Sequence, residues 1–353
     1  MQQKVLILTG KLSESSGKFV VDVKDMPEPG PGYVLVEVHA AALNPIDCAM
    51  ADTGLFVKEW PLTLGFDAAG VVKKLGEGVT HFAVGDKVMH AGTHVDPAVF
   101  TFQQYVVMRA EFVAKVPSNI TLDQAATIPL TMATAALGLY DKKQKPFGGI
   151  GLTPPWEEGG RGKYAGEPIV ILGGASGVGQ HAIQFAKISG FSPIITTAST
   201  SNEEYLKSLG ATQVVDRNLP LSELSSLVKQ ITDKPVKYGF GAIGTPDAQD
   251  ALYDVVASGG QLLLVKQPTI DEAKLAKGDK YVGRVFADVH LPAQQEVGRG
   301  LYAHLTRLVE AGDIKPTKLE VLPNGLAGIP EGLQRLKKGV SALKFVARPQ
   351  ETP

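Results

Sequence analysis

Apolar and polar positions change their period along this chain. From residue 1 to about 125 the apolar residues come in short runs or alternate, as in half-buried strands. Val5–Leu8 and Phe19–Val21 are such runs, and Tyr33–Leu43 alternates with Val34, Val36 and Val38 on one face. Ala69–Leu75, Lys87–His90, Gln104–Met108 and Phe112–Val116 repeat the pattern, separated by turn sequences such as MPEPGPG at 26–32. Short strands, frequent turns and little helix predict a compact barrel-like domain.

From Leu122 the period becomes helical, over Leu122–Ile128 and Leu130–Tyr140 on either side of Pro129. Residues 147–166 (FGGIGLTPPWEEGGRGKYAG) have no period and read as a surface loop. Ile169–Leu172 is a continuous apolar run, the mark of a strand buried on both faces. After a glycine-rich turn, helical spacing returns from Val178 up to Gly190. Strands at Pro193–Thr197, Gln213–Asp216, Val236–Ile243 and Gln261–Val265 then alternate with helices at Glu203–Leu209, Ser222–Thr232 and Asp247–Val256. Tyr281–His290 supplies a last strand. This βα alternation predicts an α/β fold with a Rossmann-type doubly wound parallel sheet.

Beyond Leu291 the alternation stops. A helix at Gln294–Ala311, a strand at Lys318–Leu322, a helix at Ile329–Lys338 and a strand at Lys344–Val346 remain. That tail is too short for a core of its own and is expected to complete the first domain. The expected division is therefore 1–129 with 291–353, and 130–290.

Composition narrows the partners. The 353 residues are 44% hydrophobic and 20% charged, with a net charge of -1, which gives no electrostatic reason to expect nucleic acid or an anionic membrane. Cys48 is the single cysteine, so no internal disulfide and no cysteine-built metal site can form; it reads as a small buried residue. No apolar run has membrane-spanning or signal-peptide character, and a cytoplasmic protein is expected.

The candidate chemistry begins after Leu172. In Gly173-Gly174-Ala175-Ser176-Gly177-Val178-Gly179, small residues let the backbone come close to a ligand, and free N–H groups at the helix start point at an anion. Gly174, Ser176, Gly177, Val178 and Gly179 are the residues expected on a dinucleotide's pyrophosphate, although their spacing departs from G-x-G-x-x-G. A tight turn that binds nothing would use similar residues; the strand before it and the helix after it favour the cofactor. The second strand ends Thr197-Ala198-Ser199-Thr200-Ser201-Asn202, with no carboxylate before Glu203 to accept from a ribose hydroxyl. Ser199, Thr200, Ser201 and Asn202 can instead donate to a 2′-phosphate, with Lys207 and Arg217 as candidate cations, which favours NADPH over NADH. Ser199–Asn202 also suit a helix N-cap, and Lys207 a solvated helix face.

Asn44-Pro45-Ile46-Asp47, Gly65-Phe66-Asp67-Ala68-Ala69-Gly70, Val84-Gly85-Asp86-Lys87-Val88 and the stretch 173–187 together resemble the medium-chain dehydrogenase/reductase superfamily over nearly the whole chain. Within it the chain is similar to the quinone oxidoreductase branch and to fungal trans-acting enoyl reductases, a group with which residues 154–166 are associated. The resemblance implies a GroES-like β-rich barrel for the first domain. It also implies that residues 44–47 line the cofactor cleft, that Thr134 lies beside the nicotinamide, and that Lys344 and Phe345 close over the cofactor. Leu264 and Val265, ending their strand, complete the implied cofactor set. The alternative for Asn44-Pro45 is a turn, with Asp47 capping the next helix. Zinc-dependent relatives carry a cysteine and a histidine where this chain has Asn44 and Phe66, neither of which replaces a thiolate or an imidazole, so no metal is expected.

The function so implied is NADPH-dependent, zinc-independent reduction of an activated C=C bond, with Asn44 and Thr134 as catalytic candidates. Two alternatives stay open: a reductase of quinones or small enals, and a low-turnover NADPH-binding sensor or partner subunit. The substrate would be a small molecule or a carrier-bound acyl group, with a synthase as a partner and a monomer or homodimer as the working form. No side chain announces itself as the proton donor.

Overall fold

A computed structural model describes residues 1–94 and 96–353. In chain order the first elements are strands β1 (Gln2–Leu8), β2 (Phe19–Asp25) and β3 (Tyr33–Ala42), helix α1 (Pro45–Thr53), and strands β4 (Leu62–Thr63), β5 (Asp67–Leu75), β6 (Lys87–Ala91), β7 (Tyr105–Arg109) and β8 (Val113–Lys115). Helices α2 (Leu122–Ala125) and α3 (Pro129–Tyr140) lead to the alternating part: β9 (Ile169–Leu172), α4 (Gly177–Ile188), β10 (Ile194–Ala198), α5 (Glu203–Leu209), β11 (Gln213–Asp216) and α6 (Leu224–Ile231). It continues with β12 (Tyr238–Gly241), α7 (Pro246–Val255), β13 (Gln261–Leu264), α8 (Glu272–Leu275) and β14 (Tyr281–Arg284). Helix α9 (Gln295–Glu310), β15 (Lys318–Val321), α10 (Ile329–Lys337) and β16 (Leu343–Ala347) end the chain.

Two units result. The first comprises 1–130, 302–310 and 316–353; the second comprises 131–301 and 311–315. In the first, β2-β1-β4 form a small sheet and β15-β16-β3-β5-β6-β8 a larger one, to which β7 adds on β3. Val34, Val36, Val38, Leu64, Phe102 and Phe345 are among its core residues. Residues 316–353 of the tail lie in this unit, with β16 paired antiparallel to β3. Residues 291–301 and 311–315, expected there too, lie in the second unit. They are held by polar pairs: the Lys315 N–H donates to Gln184 Oε1 at 2.6 Å, and the Gln294 Nε2 donates to the Phe286 carbonyl at 2.7 Å.

In the second unit all six strands are parallel, in the order β11-β10-β9-β12-β13-β14. This is the doubly wound order whose connections reverse direction at β9, leaving a crevice at the carboxyl ends of the central strands. The four residues of β9 are fully buried, which explains their unbroken apolar run. The last strand stops at Arg284, short of the expected His290; in the turn further on, Asp288 accepts from the His290 N–H at 3.0 Å. The two carbonyls that β14 turns away from β13 are both taken. Val282 accepts from Lys145 Nζ at 2.9 Å and Arg284 from the Gly148 N–H at 2.9 Å.

Residues 147–166 have no regular structure, as expected, yet they are pinned. Tyr164 stacks on Phe191 with centroids 5.0 Å apart, Trp156 meets Tyr140 edge-on at 5.3 Å, and Arg161 pairs with Asp313. Helix α2 ends at Ala125 instead of Ile128, because the chain tightens there into three-residue turns: the Thr127 N–H donates to the Gln124 carbonyl at 3.1 Å and the Ile128 N–H to the Ala125 carbonyl at 3.2 Å. Among the described residues, no helix is long and apolar enough to cross a membrane.

Candidate functional site

The turn between β9 and α4 is assembled by close backbone approach. Gly173 takes φ +81°, and its N–H donates to Thr197 Oγ1 at 3.1 Å. The Gly174 N–H donates to the Thr197 carbonyl at 3.0 Å. A Cβ on Gly174 would stand 2.2 Å from Thr196 Oγ1, and one on Gly179 would stand 2.2 Å from the Gly173 carbonyl oxygen. Glycine is therefore required at both places by the chain's own packing. Ser176 caps α4: its Oγ accepts from the Gly179 N–H at 3.1 Å and donates to the Gly173 carbonyl at 2.8 Å. The N–H groups of Gly177 and Val178, the first two residues of this twelve-residue helix, find no acceptor among the described residues. They carry the positive end of the helix dipole and can hold an anion.

Beside this turn lies a cleft of about 220 Å³, walled by Val215, Leu221, Leu224 and Ile243, with Thr197 and Arg217 at its polar side. Ile243 belongs to both features, because its Cγ2 lies 2.4 Å from where a Gly173 Cβ would be. An apolar slot next to an anion-holding helix start fits an adenosine joined to a pyrophosphate. Asp216, which ends β11, also lines the cleft and accepts from the Asn218 N–H at 3.0 Å.

Ser199 is half-buried and precedes the short turn Thr200–Asn202; Thr200 and Ser201 are exposed and Asn202 is buried. Arg217 is exposed, with its backbone N–H on the Ala198 carbonyl at 2.9 Å, so it stands at the end of the second strand. Lys207 is engaged on its own helix by Glu203 at 2.7 Å. Leu264 is buried at the end of β13, and the Val265 N–H donates to the Gly241 carbonyl at 3.1 Å. Thr134 is nearly buried on α3, one turn beyond Thr131, whose hydroxyl meets His181 Nδ1 of α4 at 3.2 Å.

The first unit gathers the other candidates around Asp67, at the start of β5. Asp67 and Asp47 are 0% exposed, Asn44 1% and Lys344 6%. Asp67 Oδ2 accepts from Lys344 Nζ and, at 2.9 Å, from Asn44 Nδ2; its Oδ1 accepts from the Leu130 N–H at 2.7 Å. Asn44 Nδ2 is also 3.3 Å from the Ala42 carbonyl, so the chain itself occupies the amide's donors. The Asn44 N–H donates to Asp47 Oδ2 at 2.7 Å, which caps α1 in the way the turn alternative describes. Pro45 is exposed and Ile46 half-buried on the first turn of that helix. Burial pushes the Asp47 carboxyl up to about 8, with the Asn44 N–H opposing and the neighbouring Asp67 charge adding to the rise. Phe345 is a core residue under the Arg335 guanidinium, 4.4 Å from its ring centroid.

The two positions where zinc relatives carry ligands do not offer a zinc donor set. Asn44 spends its amide on Asp67, and the Phe66 ring packs edge-on against Phe100 at 5.4 Å. The Cys48 thiol is buried, donates to the Leu333 carbonyl at 3.6 Å, and is pushed up to about 12 by that burial. Among the described residues no group of three or more His, Cys, Asp or Glu is gathered as a metal would need.

Three residues of these arrangements carry no role in the sequence reading: Asp67 within its motif, and Thr197 and Ile243 as strand ends. Two hydroxyl residues side by side at 196–197, on the strand that follows a glycine turn, are the local signal that was there to use.

Comparison with known proteins follows the same division. Residues 30–118 match the alcohol dehydrogenase GroES-like domain, and residues 177–277 match the zinc-binding dehydrogenase family. The chain is 33% identical to the dehydrogenase azaJ of Aspergillus niger, over 93% of this chain and 94% of that protein. It is 36% identical to the trans-enoyl reductase himH of Aspergillus japonicus, over 67% of this chain and 66% of that one. A mycobacterial protein in complex with NADPH has a similar fold, with a TM-score of 0.77, 23% identity, and 98% and 100% of the two chains covered. A GroES-like barrel, a doubly wound sheet and these relatives place the chain in the medium-chain dehydrogenase/reductase superfamily of oxidoreductases, to which it belongs.

Proposed function

We propose that the protein is an NADPH-dependent reductase of activated C=C bonds that works without zinc. The observation that carries this reading is the second unit's crevice: open N–H groups at Gly177 and Val178 beside an apolar cleft, with a second strand that is followed by Ser199 and not by a carboxylate. The N–H pair would hold the pyrophosphate and the cleft the adenine. Ser199–Asn202 and Arg217 would hold the 2′-phosphate, Arg217 as the charged donor because Lys207 is already paired with Glu203. The NADPH bound by the mycobacterial relative and the trans-enoyl reductase name of himH support the same reading.

When bound, NADPH supplies a hydride, which an enoyl thioester takes at its β-carbon. The chain's task is to hold the carbonyl oxygen on which negative charge then gathers, while the α-carbon takes a proton from water. Thr134 is the hydroxyl assigned to that oxygen. Asn44 is a weaker donor candidate than its residue type suggests, because its N–H groups already serve Asp67 and Ala42.

The test is NADPH oxidation by the purified, chelator-treated protein, followed by absorbance. Turnover is expected with an α,β-unsaturated acyl thioester, free or on a carrier protein, and at least about tenfold less with NADH. Oxidation with 1,2-quinones alone would assign the quinone reductase role instead. Tight NADPH binding with no acceptor consumed would assign the sensor or partner-subunit role. Activity lost on chelation and restored by zinc would overturn the metal-free reading.

A further inference from the structure

Asn44 stands between two buried acids, and the two are not equivalent. Its side-chain Nδ2 donates to Asp67 Oδ2 at 2.9 Å, and its backbone N–H donates to Asp47 Oδ2 at 2.7 Å. Asp67 also receives Lys344 Nζ and the Leu130 N–H, so it has a cation and two further donors. Among the described residues Asp47 has no cation of its own, and its Oδ1 meets no hydrogen-bond partner. The charged groups that face it from neighbouring elements are Asp67 of β5 and Lys344 of β16, and the Gly65 N–H before β5 also points its way. On the side of Cys48, Lys337 of α10 is paired at 2.9 Å with Asp52 of α1. One buried lysine thus faces two buried carboxyls. If both were ionised, an uncompensated charge would be left out of water, which is costly enough that such a group takes up a proton instead.

We propose that Asp47 is a positioning residue that works as an uncharged carboxylic acid: while neutral it accepts from the Asn44 N–H without contesting Lys344, and ionisation sets a second buried negative charge beside Asp67 that competes for this lysine and loosens the Asp67–Lys344 pair on which the Asn44 side chain is anchored. The inference rests on the reading of Asn44 as a cofactor contact. It also explains why an acid is found where an amide would bond equally well. A neutral acid in an apolar pocket can be held at neutral pH by burial, and it responds to pH as an amide does not.

The sign of the stability effect follows from the raised value. In the unfolded chain Asp47 ionises near about 4, whereas the folded chain holds the proton up to about 8. Between those limits the unfolded state binds fewer protons, so the contribution of Asp47 to stability falls as pH rises; above about 8 both states are ionised and the loss levels off. Local release of Asn44 comes at the upper end of the window, when the folded protein itself loses the proton.

The experiment compares the wild type with Asp47→Asn from about pH 5 to about pH 9.5, by melting temperature without cofactor and by NADPH fluorescence titration. Asp47→Asn is expected to melt higher, with a gap that widens up to about pH 8 and is constant beyond it. The wild-type Kd for NADPH is expected to rise by about fivefold or more between about pH 7 and about pH 9, while the variant's Kd ratio over the same interval stays near 1. A gap that does not widen with pH overturns the inference even if NADPH binds normally. A widening gap with no NADPH binding by either protein overturns the positioning role and the cofactor reading together, leaving only the protonation of Asp47. If Asp47→Asn does not fold, the infrared carbonyl band of a protonated carboxyl in the wild type decides: present near neutrality and lost above about pH 9 supports the inference, and absent at neutrality overturns it.

Discussion

The crevice of the second unit and the buried cluster of the first are built from opposite materials. Between Gly173 and Gly179 the groups offered to a ligand are backbone N–H groups, and the side chains matter mainly by being small. Around Asp67 the backbone only supports, and charged and amide side chains do the holding. The first kind of site fails when atoms are added; the second fails when a charge is taken away. A backbone site also carries no net charge to balance, whereas the Asp67 cluster works only while its acids, its lysine and its protons stay in count.

The sharpest way to break the comparison is Asp67→Ala. It leaves the Lys344 ammonium buried without its carboxylate, and a loss of about 3–5 kcal/mol is expected in urea unfolding. The double change Asp67→Leu with Lys344→Met should lose clearly less, because it removes both charges; equal losses would mean that shape and not charge holds this cluster. Next comes Gly179→Ala, whose new methyl would meet the Gly173 carbonyl. Overpacking of about 1–3 kcal/mol should weaken NADPH binding by about tenfold to a hundredfold in a fluorescence titration. Unchanged affinity would remove the turn from the site. Arg217→Ala should raise the Kd for NADPH by about tenfold and leave that for NADH in place, the difference being one charge-assisted bond of about 1.5–3 kcal/mol. Such selectivity would show one side-chain charge at work in a region otherwise built from backbone. The smallest effect is expected from Lys207→Ala, within about 0.5 kcal/mol for either cofactor, because its partner is Glu203 on an exposed helix face.

How far the sequence could be read depends on where each partner lies. Strand β9, the glycine turn and α4 are consecutive, so period and residue size are enough to read them. Thr197 was not readable as part of the turn, because it reaches Gly173 only through the parallel register that sets Thr197 beside Leu172. Lys344 and Asp67 lie 277 positions apart, and no local pattern announces such a pair. Lys344 was picked out by resemblance for the cofactor, and the structure adds that its ammonium is committed to Asp67. Residues 147–166 looked like free loop because order there comes from aromatic stacking on distant Phe191 and Tyr140, which leaves no period behind. The boundary at 291 was placed where the βα alternation ends. The chain instead stays with the second unit through polar contacts of Gln184 and Gln294, residues whose role depends on who faces them.

The outer border of the parallel sheet has a consequence for life at high concentration. A strand with one free side is an invitation to any passing extended peptide, and a sheet that accepts it can keep growing. At β14 the acceptors such a visitor would need are already occupied by Lys145 and Gly148 of the same molecule. Crowded copies would therefore have to displace Lys145 and Gly148 before border-to-border growth could use those two carbonyls.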